Sequence, residues 1–170
     1  TLAPVTEKTE VLVEAEAVAL EGASERGVDG TVARVGGLYG PDRYRLQRYV
    51  EGPVTEGYLN MVHRDDAAGA VRFLLEADAA RGEVVVVVDD KPVEKWAFAD
   101  WLAEQCEEPV PPKRTVEERL EGDPSETVRR RLTTSKRCSN AKLRGLGYDF
   151  RYPTYREGYR AAIAAWSRAK

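Results

Sequence analysis

Glu83-Val-Val-Val-Val-Val88 decides the fold of this chain. Five β-branched residues follow one another without the polar alternation of a half-solvated strand, which is the pattern of a strand covered on both faces in a parallel sheet. Asp65 is a natural N-cap for a helix carrying Ala67, Ala70, Val71, Phe73 and Leu74 to about Ala77, and Gly82 closes that segment before the valines. After them Asp89-Asp90-Lys-Pro92 makes a turn, and Val93 to Gln105 reads as the next helix, with Trp96, Phe98, Trp101 and Leu102 on its apolar face. Further upstream, Val11, Leu12, Ala15, Val18, Ala19 and Ala23 recur at helical spacing from Glu7 to Arg26. Gly27 and Gly30 end that helix and Thr31 to Val35 forms a second strand. Helix, turn and buried strand make an α/β crossover, and a parallel sheet flanked by helices is the implied class.

A sheet of this kind needs a neighbour on each strand edge, yet these 170 residues offer two good strands and a third short one at Tyr58 to Val62. The chain also opens at Thr1 with no initiator Met, so further strands are expected from sequence upstream of it; the competing reading is a small self-contained α+β domain. Past Pro109-Val-Pro-Pro112 the composition turns charged and weakly apolar from Arg114 to Arg137, which predicts solvated helices or loops and the most mobile part of the chain. The division expected is 1–108 for the sheet and its loop, and 109–170 for a smaller C-terminal subdomain ending in a helix from about Arg156 to Ser167.

Twenty-six basic residues against 29 acidic ones leave a net charge of −3, which argues against nucleic acid as the main partner. Cys106 and Cys138 form neither a C-x-x-C motif nor a metal-ligand pair, and a reducing compartment fits them. The longest apolar run, Val84 to Val88, falls far short of the roughly 20 residues that span a bilayer, and no leader pattern opens the chain. A soluble, cytoplasmic protein with no membrane partner is the expectation. His63 is the only histidine, which excludes a histidine-based metal site and a Ser-His triad.

Arg34-Val-Gly-Gly-Leu-Tyr-Gly-Pro41 resembles the strand-to-loop segment that extended and atypical short-chain dehydrogenase/reductases place just after their catalytic helix. Asn60-Met-Val-His63-Arg-Asp-Asp66-Ala is similar to the same family's His-x-Asp segment at the opening of a helix. Ser139 to Gly147, with Tyr152 to Gly158, is similar to its C-terminal signature of a short helix, a Leu-Gly-aromatic turn and a last helix. Together they resemble the NAD-dependent epimerase/dehydratases, sugar-nucleotide epimerase-like proteins, over their C-terminal part. The resemblance implies a Rossmann-like sheet portion whose N-terminal dinucleotide-binding half lies outside the chain. No G-x-G-x-x-G follows a strand here, and no Tyr-x-x-x-Lys pair is present; Lys8 has Pro4, not tyrosine, four residues before it.

The function implied is the substrate-binding portion of an NAD(P)-dependent epimerase/dehydratase or reductase acting on a sugar nucleotide or a related hydroxyl or carbonyl compound. The alternative is a non-catalytic Rossmann-like binding or sensor protein. NAD or NADP would be the cofactor of the intact protein, with none bound and no turnover by this chain alone. Its partners would be the absent dinucleotide-binding segment and a sugar-nucleotide-like molecule, with a homodimer as candidate assembly. Gly36 and Gly37 would let the backbone approach the nicotinamide end, or form a plain turn. Tyr39, Arg43, Asn60 and His63 are the candidate substrate contacts, each with a packing, solvated, turn or structural alternative. No catalytic residue and no metal ligand is assigned. Arg129-Arg-Arg131 with Lys136-Arg137 could grip a diphosphate or form a solvated face.

Overall fold

A computed structural model describes residues 7–25, 27 and 30–168; Pro4, Thr1 and Lys170 lie outside them. The valine run forms β6 (Val84–Val87), which pairs in parallel with β1 (Val32–Val35) in the register Val32↔Val84 to Val35↔Val87. Val85, Val87 and Val88 are fully buried, while Val84 and Val86 are partly so. Before β1 runs α1 (Glu7–Glu25), and between the strands come α3 (Arg64–Glu76) and a 3-10 turn, Asp78–Ala80. Thr31 Oγ1 donates to Ala80 O at 2.8 Å and Gly82 N to Gly30 O at 2.7 Å, so both strands start from one fixed corner.

At Gly36 the chain leaves one strand and takes up another. Gly36 N donates to Val87 O and Gly37 N to Asn60 O, after which β2 (Gly37–Tyr39) pairs in parallel with β5 (Met61–His63). The expected third strand, Tyr58 to Val62, is thereby divided at Asn60. Its first part is β4 (Tyr58–Leu59), antiparallel to β7 (Val93–Glu94), and its second part is β5. Between β2 and β4 lie α2 (Leu46–Glu51) and β3 (Val54–Thr55), and β3 pairs in parallel with β8 (Lys113–Arg114). The helix expected from Val93 begins after β7, as α4 (Lys95–Cys106).

Three more expectations need correction. The helix after β5 is capped by His63, not Asp65: strand passes straight to helix, and His63 Nδ1 accepts from Asp65 N at 3.2 Å. The stripe Val11, Leu12, Val18 of α1 is more than half exposed, because the helix docks through the two-pronged ion pair of Glu16 with Arg34 of β1, which turns Val13, Ala17 and Leu20 inward instead. The terminal helix is divided into α8 (Tyr155–Gly158) and α9 (Arg160–Arg168) at the buried Tyr159. The charged stretch after Pro112 holds α5 (Val116–Glu121), opened by a Thr115–Glu118 capping box, and α6 (Glu126–Thr133).

Two apolar clusters flank the strands. Val62, Ala70, Leu74, Val85, Val87, Leu143 and Phe150 form one, with Leu143 supplied by α7 (Ala141–Gly145). Tyr39, Met61, Phe98, Leu102, Tyr155 and Tyr159 lie in the other, with Trp101 and Trp166 packed against it. Asp66 joins the C-terminal segment to α3: its buried carboxylate accepts Arg151 N at 2.7 Å, Tyr152 N at 2.8 Å and the Tyr148 hydroxyl at 3.4 Å. Asp66→Ala leaves the two amides without that acceptor, while the Tyr148 hydroxyl keeps Asp66 O at 2.9 Å, and should cost about 3 kcal/mol, at roughly 1–3 kcal/mol for each group left unsatisfied. Urea unfolding would show it as a lower midpoint at unchanged slope.

Candidate functional site at the carboxyl end of the parallel strands

In open α/β sheets ligands bind beyond the carboxyl ends of the strands, and here that position is held by the Gly36-Gly37 handover. A Cβ on Gly36 would stand 2.6 Å from Val88 Cγ1 and 2.7 Å from Asn60 O, so glycine is required for two strands to exchange neighbours at this distance. Gly37 is exposed and tolerates more, its Cβ standing 3.3 Å from Asn60 O. Gly36, Gly37, Tyr39 and Arg43 line one open cavity of about 320 Å³, together with Tyr49 and Met61.

Within that wall Tyr39 is buried. Its ring stacks on Tyr159 at 5.1 Å between centroids and meets the edge of His63 at 5.4 Å. Burial, with Asp89 nearby, pushes its hydroxyl far above the ordinary tyrosine range, so it is a neutral group. Gly158 admits this ring, since a Cβ there would overlap the Tyr39 hydroxyl. Arg43 is exposed, its backbone amide donating to Gly40 O at 2.9 Å.

The structure puts Asn60 and His63 behind the cavity, with their side chains engaged by the protein itself. Asn60 donates from Nδ2 to Lys136 O at 2.9 Å and accepts Cys138 N on Oδ1 at 2.6 Å, which fastens the segment after α6 to the β4–β5 junction. His63 is 2 % exposed, caps α3 and lies 3.9 Å from the Tyr152 ring. Burial holds its pKa below the usual value, so Nδ1 serves as a neutral acceptor.

A second cavity, of about 350 Å³, shares Tyr49 with the first and was not legible as a site in the sequence. Arg48 of α2, Lys95 of α4, Arg119 of α5 and Arg131 of α6 line it, and no carboxylate does. Of these four only Arg131 belongs to the arginine cluster singled out above. The others lie far apart in sequence and are gathered by the pairing of β3 with β8, so only the sign of their charge could have drawn attention to them. Lys95 is held below the usual lysine pKa by burial and then by Arg48, and it donates to Glu56 O at 3.2 Å.

No protein-family model and no curated protein matches the chain. Solved structures do. A functionally unknown conserved protein from Silicibacter pomeroyi is 26% identical, with a TM-score of 0.66 over 79% of this chain and 49% of its own. A candidate NAD-dependent epimerase/dehydratase from Methylobacillus flagellatus is 25% identical, with a TM-score of 0.68 over 96% of this chain and 56% of its own. At 14% identity, a dTDP-glucose 4,6-dehydratase from Bacillus anthracis, solved in complex with NAD, shares the fold alone, with a TM-score of 0.71 over the whole chain and 54% of its own. The chain thus spans about half the length of the structures it matches. Its fold is a partial Rossmann-like α/β fold. More narrowly, it is similar to an NAD-dependent epimerase/dehydratase and a dTDP-glucose 4,6-dehydratase over about half of their length, the resemblance that the Arg34–Pro41, Asn60–Ala67 and Ser139–Gly158 segments led one to expect.

Gly36→Ala should therefore be far more damaging than Gly37→Ala. Thermal unfolding of the two variants is expected to show a large loss for the first, on the order of 2–3 kcal/mol for a methyl forced against packed neighbours, and a small one for the second. Equal losses would mean that Gly36 is an ordinary turn residue.

Proposed function

We propose that this chain is the substrate-side portion of an NAD(P)-dependent epimerase/dehydratase or reductase acting on a sugar nucleotide or a related hydroxyl or carbonyl compound. The observation that carries the reading is the pair of cavities that share Tyr49 in their walls, one beside the glycine handover and the other lined by four cations and no acid. The first suits a flat ring system approaching exposed backbone, and the second suits a diphosphate, which guanidinium and ammonium groups recognise by charge-assisted hydrogen bonds.

In this reading Gly36 and Gly37 admit the nicotinamide end of the cofactor, Tyr39 and Arg43 face the sugar, and Arg48, Lys95, Arg119 and Arg131 hold the phosphates. The glycines fit only that end of a dinucleotide. A pyrophosphate needs a glycine-rich turn opening a helix, whereas Gly36-Gly37 leads from one strand into the next. NAD or NADP, when bound, supplies the hydride acceptor or donor, and a dinucleotide-binding segment beside β1 would bring it together with the proton-transferring group. The residues of 1–108 then supply the loop together with Arg48 and Lys95, and those of 109–170 close the basic cavity with Arg119 and Arg131. Asn60 and His63 act by holding these walls in place.

The test is calorimetric titration of the full polypeptide containing this chain with UDP-glucose and dTDP-glucose, with NAD present. Binding is expected, and Arg48→Ala or Arg119→Ala should weaken it about tenfold, ~1.4 kcal/mol, without changing thermal stability. Failure of both sugar nucleotides to bind, or equal affinity in the variants, would sink the proposal. Turnover of a bound sugar nucleotide separates an enzyme from a non-catalytic binding protein of the same fold.

A further inference from the structure

Directly after β6, Asp89 enters the interior with no use in the function proposed above. It is 1 % exposed; Oδ1 accepts Lys91 N at 3.1 Å, and Oδ2 has no hydrogen-bond partner. The loop it opens is a bridge: Asp89 N donates to Met61 O at 2.7 Å in β5, and Asp90 N to Pro153 O at 2.9 Å, just ahead of the Thr154 cap of α8.

Acids and phenols surround the Asp89 carboxyl, and Arg137, with Cys138 and Asn140, lines the same cavity of about 390 Å³ as Asp89. Asp90 stands on its own loop, Asp66 belongs to α3 and Glu157 to α8, while Tyr39 of β2 and Tyr155 of α8 feel its charge in turn. No basic side chain among the described residues pairs with it. Arg144 is engaged by Asp90 and Asp149, and Lys91 is exposed and contributes only its backbone amide. A buried carboxylate with no cation and like charges around it is costly, and the group takes a proton instead.

We propose that Asp89 is a proton-operated latch: neutral, it lets the 89–92 loop clasp the Pro153–Tyr159 segment behind Tyr39, and ionised, it releases that clasp and loosens the Tyr39 wall of the cavity. Burial, more than any neighbour, raises the carboxyl from 3.8 to about 7, within reach of physiological pH. The folded chain keeps a proton that the unfolded chain gives up near 3.8, so the stability Asp89 contributes falls as pH rises from about 4 to about 7 and is level above that. His63 works the other way, since its lowered pKa makes stability rise with pH up to the usual histidine value. The difference between wild type and Asp89→Asn isolates the Asp89 contribution.

The deciding experiment follows the Asp89 carboxyl carbon and the backbone amides of Asp90 and Tyr159 by NMR in the labelled full polypeptide between about pH 4 and pH 9. A carboxyl midpoint near 7, shared by both amides and lost from them in Asp89→Asn, is the result expected. A midpoint near the ordinary carboxylate value, or amides that titrate identically in the variant, overturns the latch; should Asp89→Asn fail to fold, the wild-type carboxyl and amide midpoints decide alone. The coupling to ligand rests on the cavity reading: sugar-nucleotide affinity should weaken about fivefold from pH 6 to pH 8 in wild type and stay level in Asp89→Asn. Affinity equally pH-dependent in both proteins overturns that coupling, whereas absence of binding at either pH overturns the cavity reading and leaves the latch to the carboxyl titration.

Discussion

The approach of Gly36 to Val88 and Asn60 is the constraint from which the rest of the molecule follows. Strands β1 and β2 are one continuous run of chain that pairs in parallel first with β6 and then with β5, changing partner at a single residue. The change works only if the backbone passes within van der Waals range of two other segments, and a methyl group would keep them apart. Because the chain turns away from β6 at that point, the end of β6 is left to the Asp89 loop. The end of β1 then opens as the floor of the first cavity. A sheet with unbroken pairing would have placed a strand there instead.

Buried and half-buried polar groups fix what surrounds this floor. Asn60, Asp66 and the neutral His63 each satisfy backbone groups from segments far away in sequence: Lys136 and Cys138, Arg151 and Tyr152, and the first turn of α3. Hydrophobic contacts would hold these segments near one another but permit sliding, whereas paired amides set the register. That division of labour explains why residues with the chemistry of substrate contacts can be interior fasteners. The cavities are faced instead by the glycine backbone, by tyrosines such as Tyr39 and Tyr49, and by the long cations.

Local periodicity made the parallel sheet legible, because five valines without alternation have few other readings, and the same is true of α3, whereas Gly36-Gly37, read as the end of a strand, carries the chain on into β2. The basic cavity was hidden for a physical reason. Arg48, Lys95, Arg119 and Arg131 belong to four helices, and no sequence spacing encodes the β3–β8 pairing that gathers them. The exposed stripe of α1 misled for the opposite reason: spacing identifies an apolar face, but an ion pair between Glu16 and Arg34 decides which face meets the sheet. Likewise Asp65 has the right chemistry for a cap, but the abrupt step from β5 into α3 gives that place to His63.

Strand alternation also sorts charge across the β3–β4 region. Thr55 and Lys95 turn toward the cationic cavity, while their immediate neighbours Glu56, Glu94 and Trp96 line a separate cavity of about 410 Å³. One residue of register therefore separates an acidic surface from a basic one. A slip by one position would bring Glu56 and Glu94 in beside Arg48, where they would neutralise it and repel a phosphate. Pairing of β4 with β7 and of β3 with β8 prevents that slip, and the Val116 amide donating to Glu56 Oε1 at 2.6 Å pins the acid to its own side. In a chain of net charge −3, a concave surface lined by cations without a carboxylate depends on a backbone register that keeps the acids out, so the basic character of this cavity is a property of strand pairing as much as of the arginines themselves.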